Sequence, residues 1–428
     1  MIMWIDKNIK KISFAYGIQI ILLIIISLFN PLGMYKVSGY TYLLIIICTT
    51  SFLIAFNIIS RYMIKTKEDF NNAQNKMLIS LDKLLKSKIF LFLTFIMFFI
   101  VTYYLIKYNI IIKDMPKLQI RMVRFIDLFG SSIETLFFNY IIAGYVYIAS
   151  IIFSVMLINK RYKNPIFILI SFTILEFSLI GYSRMVYFNI AIYIFINILL
   201  KSNLKELINL KNIIKISAIF GIVFVMLFGM IYARICKNNV SVVNNIKKTI
   251  KNQSEQIIEY SVGSFRLLDY FIKNGFEGLK HKYTYGQATF AGIEEIILYP
   301  IKGIGVEINS FNNIMGKQTQ IPIKIGEDTE FNAFYTCVMN FYLDYGFLGV
   351  IIFPILHSIL IILSLNQYYR KKNIFSFILL NFVLLNLFFS IIRWNYQSGT
   401  STFVLLTMIF ITNFENIKNK IQEKILQK

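Results

Sequence analysis

The chain has 428 residues, 57% hydrophobic and 15% charged, with a mean hydropathy of +0.64 and a formal net charge of +22. That composition excludes an ordinary soluble domain. The positive excess does not point to nucleic acid, because Lys and Arg are scattered over every loop and no basic stripe with interleaved aromatics occurs.

Lys7, Lys10 and Lys11 precede a long apolar run without a small-residue cleavage site, so the first segment reads as a retained span. Ten transmembrane helices are predicted, at roughly 12–30, 40–60, 89–106, 136–158, 165–181, 185–200, 214–233, 347–366, 375–392 and 400–414. Backbone groups in lipid must be satisfied within their own segment, so an all-α polytopic membrane protein is the expected fold class. Alternating sides from a cytoplasmic N-terminus puts about 24 Lys and Arg inside and about 8 in the short outer loops. Both termini are therefore placed in the cytoplasm. Ile, Lys and Asn dominate the composition, which suits an AT-rich bacterial genome.

Three units follow: residues 1–233 with seven helices, 234–345 as one large extracytoplasmic loop, and 346–428 with three helices and a cytoplasmic tail. The inner segments Arg61–Lys88 and Lys201–Lys211 have Lys, Asn and Leu at helical spacing, as in helices lying on an anionic surface. No phosphate loop, Asp-x-Asp pair or Cys/His cluster occurs there, so no nucleotide, cofactor or metal is expected. Within the outer loop, Ile258, Val262, Phe265, Leu268 and Ile272 share one helical face, with Glu259, Arg266 and Lys273 turned away. A second helix is predicted with Phe331, Phe334, Val338, Tyr342 and Tyr345 on its apolar side, leading into the eighth span. Cys236 and Cys337 flank the loop, as a disulfide or as two free thiols.

Nine Arg stand against 35 Lys (44 less nine), and six of the nine fall on the outer side: Arg121, Arg124, Arg184, Arg234, Arg266 and Arg393. A planar fork suits phosphate or carboxylate in a way that Lys does not; the alternative role is snorkelling toward lipid headgroups. Asp328, Asn332, Thr336, Asn340 and Asp344 recur every fourth residue, a polar strip facing a sugar, a phosphate or a neighbouring helix. His281 in the outer loop is a candidate general base. His357 and Glu176 lie within spans and could pair with each other or with polar neighbours. Glu327, Asp328 and Glu330, like Glu294 and Glu295, read as solvated turns or as cation ligands.

Short motifs then carry a resemblance. Gly181-Tyr-Ser-Arg184, Tyr285-Gly-Gln-Ala-Thr-Phe290, Asn332-Ala-Phe-Tyr-Thr336 and Asp344-Tyr-Gly346 with Gly349, set among many spans and one late outer loop, resemble the Wzy-type O-antigen polymerases. That resemblance implies a glycosyltransferase joining undecaprenyl-diphosphate-linked oligosaccharide units at the outer face of the membrane. It implies Arg184, Arg266, Arg393 and Arg124 on the diphosphate, Tyr285, Asn332 and Thr336 on the glycan, and Asp344 or His281 as base. Tyr260, Tyr270, Tyr283 and Phe290 would stack on sugars or pack among themselves. Membrane lipid, a chain-length regulator and a flippase of the same pathway are the partners it implies. The competing expectations are an O-antigen ligase, a lipid-linked oligosaccharide flippase and a non-enzymatic scaffold.

Overall fold

The computed structural model describes residues 7–63, 70–113, 128–180, 184–201, 242–275, 283–303, 306, 310–312, 314–315, 321–327, 329–332 and 335–426. The predicted seventh span and all of the Lys201–Lys211 segment after Lys201 fall outside them. The described residues are almost wholly helical: α1 (Lys7–Phe29), α2 (Gly39–Met63), α3 (Phe70–Lys86), α4 (Lys88–Ile112), α5 (Ser132–Ile158), α6 (Pro165–Leu179), α7 (Met185–Lys201), α8 (Val242–Asn274), α9 (Ala291–Gly303), α10 (Cys337–Tyr345), α11 (Phe347–Lys371), α12 (Ile374–Ser390) and α13 (Gly399–Leu426). A two-stranded antiparallel ribbon, β1 (Ile323–Lys324) with β2 (Glu330–Phe331), and a 3-10 turn at Asn395–Gln397 complete the elements of the described residues.

Among the described residues, five helices are long and apolar enough to cross a membrane: Asn8–Phe29, Gly39–Met63, Lys88–Ile112, Ser132–Ile158 and Phe347–Lys371. Pro165–Leu179, Met185–Lys201, Ile374–Ser390 and Gly399–Phe414 are apolar but shorter. The protein is thus helical and of membrane character. Its helices start where local chemistry lets them. Asn164 accepts from the Ile166 amide ahead of Pro165, Asn373 accepts from Ser376, and Lys372 closes α11 in a left-handed conformation. Tyr140 lies in a single π-helical turn, Phe137–Ile142, inside α5.

α12 is the centre of the bundle. Every residue from Ser376 to Ser390 is buried, and α3, α5, α7, α11 and α13 all pack on it. A helix that is apolar all round belongs inside others. Its two asparagines bond along their own helix: Asn381 and Asn386 donate to the carbonyls of Phe377 and Phe382, while their side-chain oxygens are buried without a partner among the described residues. α11 and α13 flank α12, and between them an open valley runs along the bundle.

The bundle has two ends, which we call lower and upper. At the lower end α1 begins, with Asn8 donating to the Tyr369 hydroxyl at the end of α11 (2.9 Å), and α13 runs out past the Gln367–Asn413 bond. α3 lies there too, burying Ala73, Met77, Leu81 and Leu85 at a spacing of four, as the helical periodicity of Arg61–Lys88 predicts. The upper end carries α8, α9, the ribbon, α10 and the turn between α12 and α13.

α9 is pinned against α13 at Gly292. A Cβ there would fall 2.4 Å from the Tyr396 carbonyl oxygen and 2.7 Å from that of Ser398. Gly292→Ala is therefore expected to destabilise the fold by about 1–3 kcal/mol through overpacking. Thermal unfolding in detergent checks this, and an unshifted midpoint would contradict the close approach.

Candidate functional site

The site is built around the corner between α10 and α11. Thr336 starts α10 by accepting from the Met339 amide (3.4 Å). Gly346 then turns the chain with φ 58°, and Tyr283 packs where a Cβ would stand. Gly349 lets the new helix press on the old one, since a Cβ there would lie 2.0 Å from the Phe341 carbonyl oxygen. The Asp344-Tyr-Gly346 and Gly349 pattern is therefore the recipe for a tight helical corner.

Asp344 sits at that corner with none of its surface exposed. Its Oδ1 accepts from the Thr284 hydroxyl (2.5 Å), the Gly286 amide (2.9 Å) and the Ala288 amide (3.0 Å), and its Oδ2 accepts from the Thr289 amide (2.8 Å). Tyr285 and Gly286 both adopt positive φ, 50° and 99°, which turns successive N–H groups inward as an anion-binding nest. Two motifs some sixty residues apart are thus one unit: the 284–290 loop supplies the donors and Asp344 the charge.

Further bonds fix this loop to the bundle. Asn340 donates to the Ala288 carbonyl (2.8 Å) and to Gln397 Oε1 (3.1 Å), and Trp394 Nε1 donates to the Thr289 carbonyl (2.8 Å). Asn312 donates to the Gln397 carbonyl (2.7 Å) and to Glu295 (3.2 Å), whose carboxylate also receives the Gly399 amide at the start of α13 (2.5 Å). Glu294 accepts from the Phe311 amide (3.1 Å). Glu294 and Glu295 are thereby helix and loop fasteners rather than a solvated turn, and no cluster of metal-ligating side chains occurs among the described residues.

The arginines separate into different settings. Arg184, half-buried at the start of α7, donates to Gln256 and to the Tyr260 hydroxyl (3.1 Å), and its guanidinium lies 5.6 Å from the Tyr260 ring centre. Arg266 is buried rather than turned away from the apolar face: it donates to Ser27 Oγ and the Ser27 carbonyl (both 3.2 Å), to Asn30 (3.1 Å) and to the Val262 carbonyl (3.0 Å). The reason is the C-terminal end of α1, whose acceptors need donors. Nearby, Asp269 receives Ser38, Thr41 and Lys273; burial raises its pKa, but these bonds outweigh it and hold the carboxyl below its usual value. Arg393, half-buried, lies three residues after the end of α12, with burial lowering its pKa and the Tyr147 hydroxyl opposing that effect.

The polar strip is not one helical stripe. Only Asn340 and Asp344 lie on α10; Thr336 is its cap, Asn332 follows β2, and Asp328 lies outside the described residues. Phe331 likewise belongs to β2, where it packs under Gly263 of α8. Glu176 and His357 do not pair: Glu176 accepts from Thr102 (2.9 Å), whereas His357 stands edge-on to Trp394 and Tyr396 with ring centres 5.3 and 5.9 Å away. Cys337 is a buried free thiol beside Cys48 rather than half of a disulfide. Tyr285 is the more exposed of the clamped loop's two aromatics, 65% accessible and edge-on to Tyr345. His281, Arg124, Arg121 and Arg234 lie outside the described residues.

Sequence reasoning singled out Arg393 but missed the Trp394–Gln397 turn after it. Beneath this turn an apolar cavity of about 260 Å³ opens between α9, α11 and α13, lined by residues including Phe290, Ile293, Phe353, Leu356 and Leu405. His357 and Thr289 also line it, and their Nε2 and Oγ1 atoms are buried without a partner among the described residues. Leu356 and Leu406, both about half exposed, form its rim on the outside of the bundle.

Comparison of the chain with protein-family models, curated proteins and solved structures finds no match.

The clamp makes a direct prediction. In Asp344→Asn the amide NH2 faces amides that need an acceptor, so exchange at Gly286, Ala288 and Thr289 should quicken by about tenfold or more, the equivalent of about 1–3 kcal/mol. Hydrogen–deuterium exchange measures it. Unchanged protection would mean that the carboxylate does not hold the loop.

Proposed function

We propose that the protein is a glycosyltransferase that polymerises undecaprenyl-diphosphate-linked oligosaccharide repeat units on the outer face of a bacterial cytoplasmic membrane, in surface-polysaccharide or O-antigen biosynthesis. In this reading ten helices span the membrane, both termini are cytoplasmic, and the upper end of the bundle faces outward. The observation that carries the reading is the union of the two motif segments at Asp344, beside an apolar cavity that Thr289 of the same loop lines and whose rim lies on the outside of the bundle. A lipid-linked sugar needs that pairing: a place for hydrocarbon beneath a fixed polar surface.

The reaction breaks the bond between the donor's anomeric carbon and the diphosphate oxygen. A hydroxyl oxygen of the incoming unit forms the new glycosidic bond and gives up its proton. The leaving diphosphate gains charge, and preset cations stabilise it without a metal. We assign this role to Arg393, beside the Trp394–Gln397 turn, and the outer approach to Arg184. Arg266, with both terminal nitrogens bonded to α1 and α8, is assigned to holding α8. Asp344 has both oxygens occupied by the loop, so we assign it to positioning Tyr285 and its neighbours. The proton then passes to His281, the outer loop's histidine. Tyr285 offers an exposed ring to a sugar face. The apolar cavity takes the first isoprenoid units, with His357 and Thr289 available to an ester oxygen.

The test is reconstitution in liposomes with a synthetic lipid-diphosphate oligosaccharide, read by mass. A ladder spaced by one repeat unit is expected, and Arg393→Lys should slow its growth roughly a hundredfold while the protein level is unchanged. Input-length glycan alone would refute polymerisation. Transfer to a non-repeat acceptor would favour a ligase, and movement of the lipid across the bilayer without product would favour a flippase.

A further inference from the structure

At its lower end the valley between α11 and α13 holds another cavity, of about 300 Å³. Its lining changes character along its length. Leu360, Leu363 and Ile409 line the part toward the middle of the bundle, and Leu360 also borders the upper cavity. Farther down, Gln367 donates to Asn413 across the gap (3.0 Å), and Lys371 reaches over to the Thr412 carbonyl. The two helices are joined here by polar links instead of apolar packing. Arg370 stands exposed at the mouth, with no ion-pair partner among the described residues, and the described lining contains no carboxylate.

An apolar flank, a polar floor and a cationic mouth, stacked along one seam of spanning helices, match one molecule: an amphiphile with a negative headgroup. We propose that this cavity is a binding site for an anionic phospholipid. Its phosphodiester lies against the Arg370 guanidinium, whose fork suits two phosphate oxygens. Lys371, held in place by α13, adds a second positive charge. One acyl chain follows Leu363 and Leu360 up the valley. Basic pockets between spanning helices recognise such headgroups by the same charge pairing. A bound lipid would wedge α11 and α13 apart over α12 and so keep the valley open along its length. The site lies at the opposite end from Asp344 and does not depend on the proposed reaction.

The full-length protein, placed in nanodiscs of equal parts phosphatidylglycerol and phosphatidylcholine and released for native mass spectrometry, tests the proposal. Phosphatidylglycerol should remain bound in preference to phosphatidylcholine. Arg370→Gln should lower that retention roughly fivefold, the contribution of one basic residue near an anionic headgroup. Arg370→Lys should keep part of it. Lys163→Gln, which removes an exposed cation from the turn before α6 at the same end of the bundle, should leave retention unchanged. Equal retention of the two lipids, no effect of Arg370→Gln, or an equal loss in Lys163→Gln would overturn the site; the last would show a general surface-charge effect.

Discussion

A carboxylate with no exposed surface is tolerated only where donors replace water, and Asp344 has four of them. All four come from a single stretch, Thr284 to Thr289, so the charge that α10 buries is also what shapes the loop. The loop's outward-facing carbonyls are then usable: Ala288 receives Asn340 and Thr289 receives Trp394. Through these contacts the corner before α11 and the turn after α12 are set relative to each other. The exposed ring of Tyr285 and the roof of the apolar cavity are both by-products of that arrangement.

The valley follows from a different constraint. α12 is short and apolar on every side, so it is surrounded, and α11 and α13 lie on it without closing over it. What lines the gap depends on depth. Near the clamped loop it is aromatic and aliphatic, with two polar atoms that have no partner among the described residues; at the other end it is amide-lined and cationic. One groove in the fold thus presents two chemically distinct ends, one for the substrate that we propose and one for a resident lipid.

The helices were legible because hydropathy and length act locally. Each predicted apolar run within the described residues coincides with a helix, and caps such as Asn164 before Pro165 mark the ends in the sequence itself. The site was legible only in pieces. Asp344, the Tyr285–Phe290 motif and Gly349 were all noted, but their meeting is a long-range contact that no periodicity encodes. The every-fourth-residue pattern breaks at Thr336 because that residue caps the start of α10, which leaves Asn332 before it outside the helix. Assigning Arg266 outward failed because side-chain polarity was weighed without the acceptor-rich end of α1 that it serves. The polar run Trp394-Asn-Tyr-Gln-Ser398 between two apolar segments was the available signal for the missed turn.

The central claim is that the Asp344-clamped loop works on the non-cytosolic side of the membrane. Tyr285 is exposed at the tip of that loop, so a single cysteine in its place, in a chain whose native cysteines are replaced by serine, reports the side directly. Treatment of intact cells with a membrane-impermeant maleimide should label the Tyr285→Cys protein as fully as treatment after lysis. Labelling that appears only once the cells are broken would put the loop in the cytosol and contradict the account.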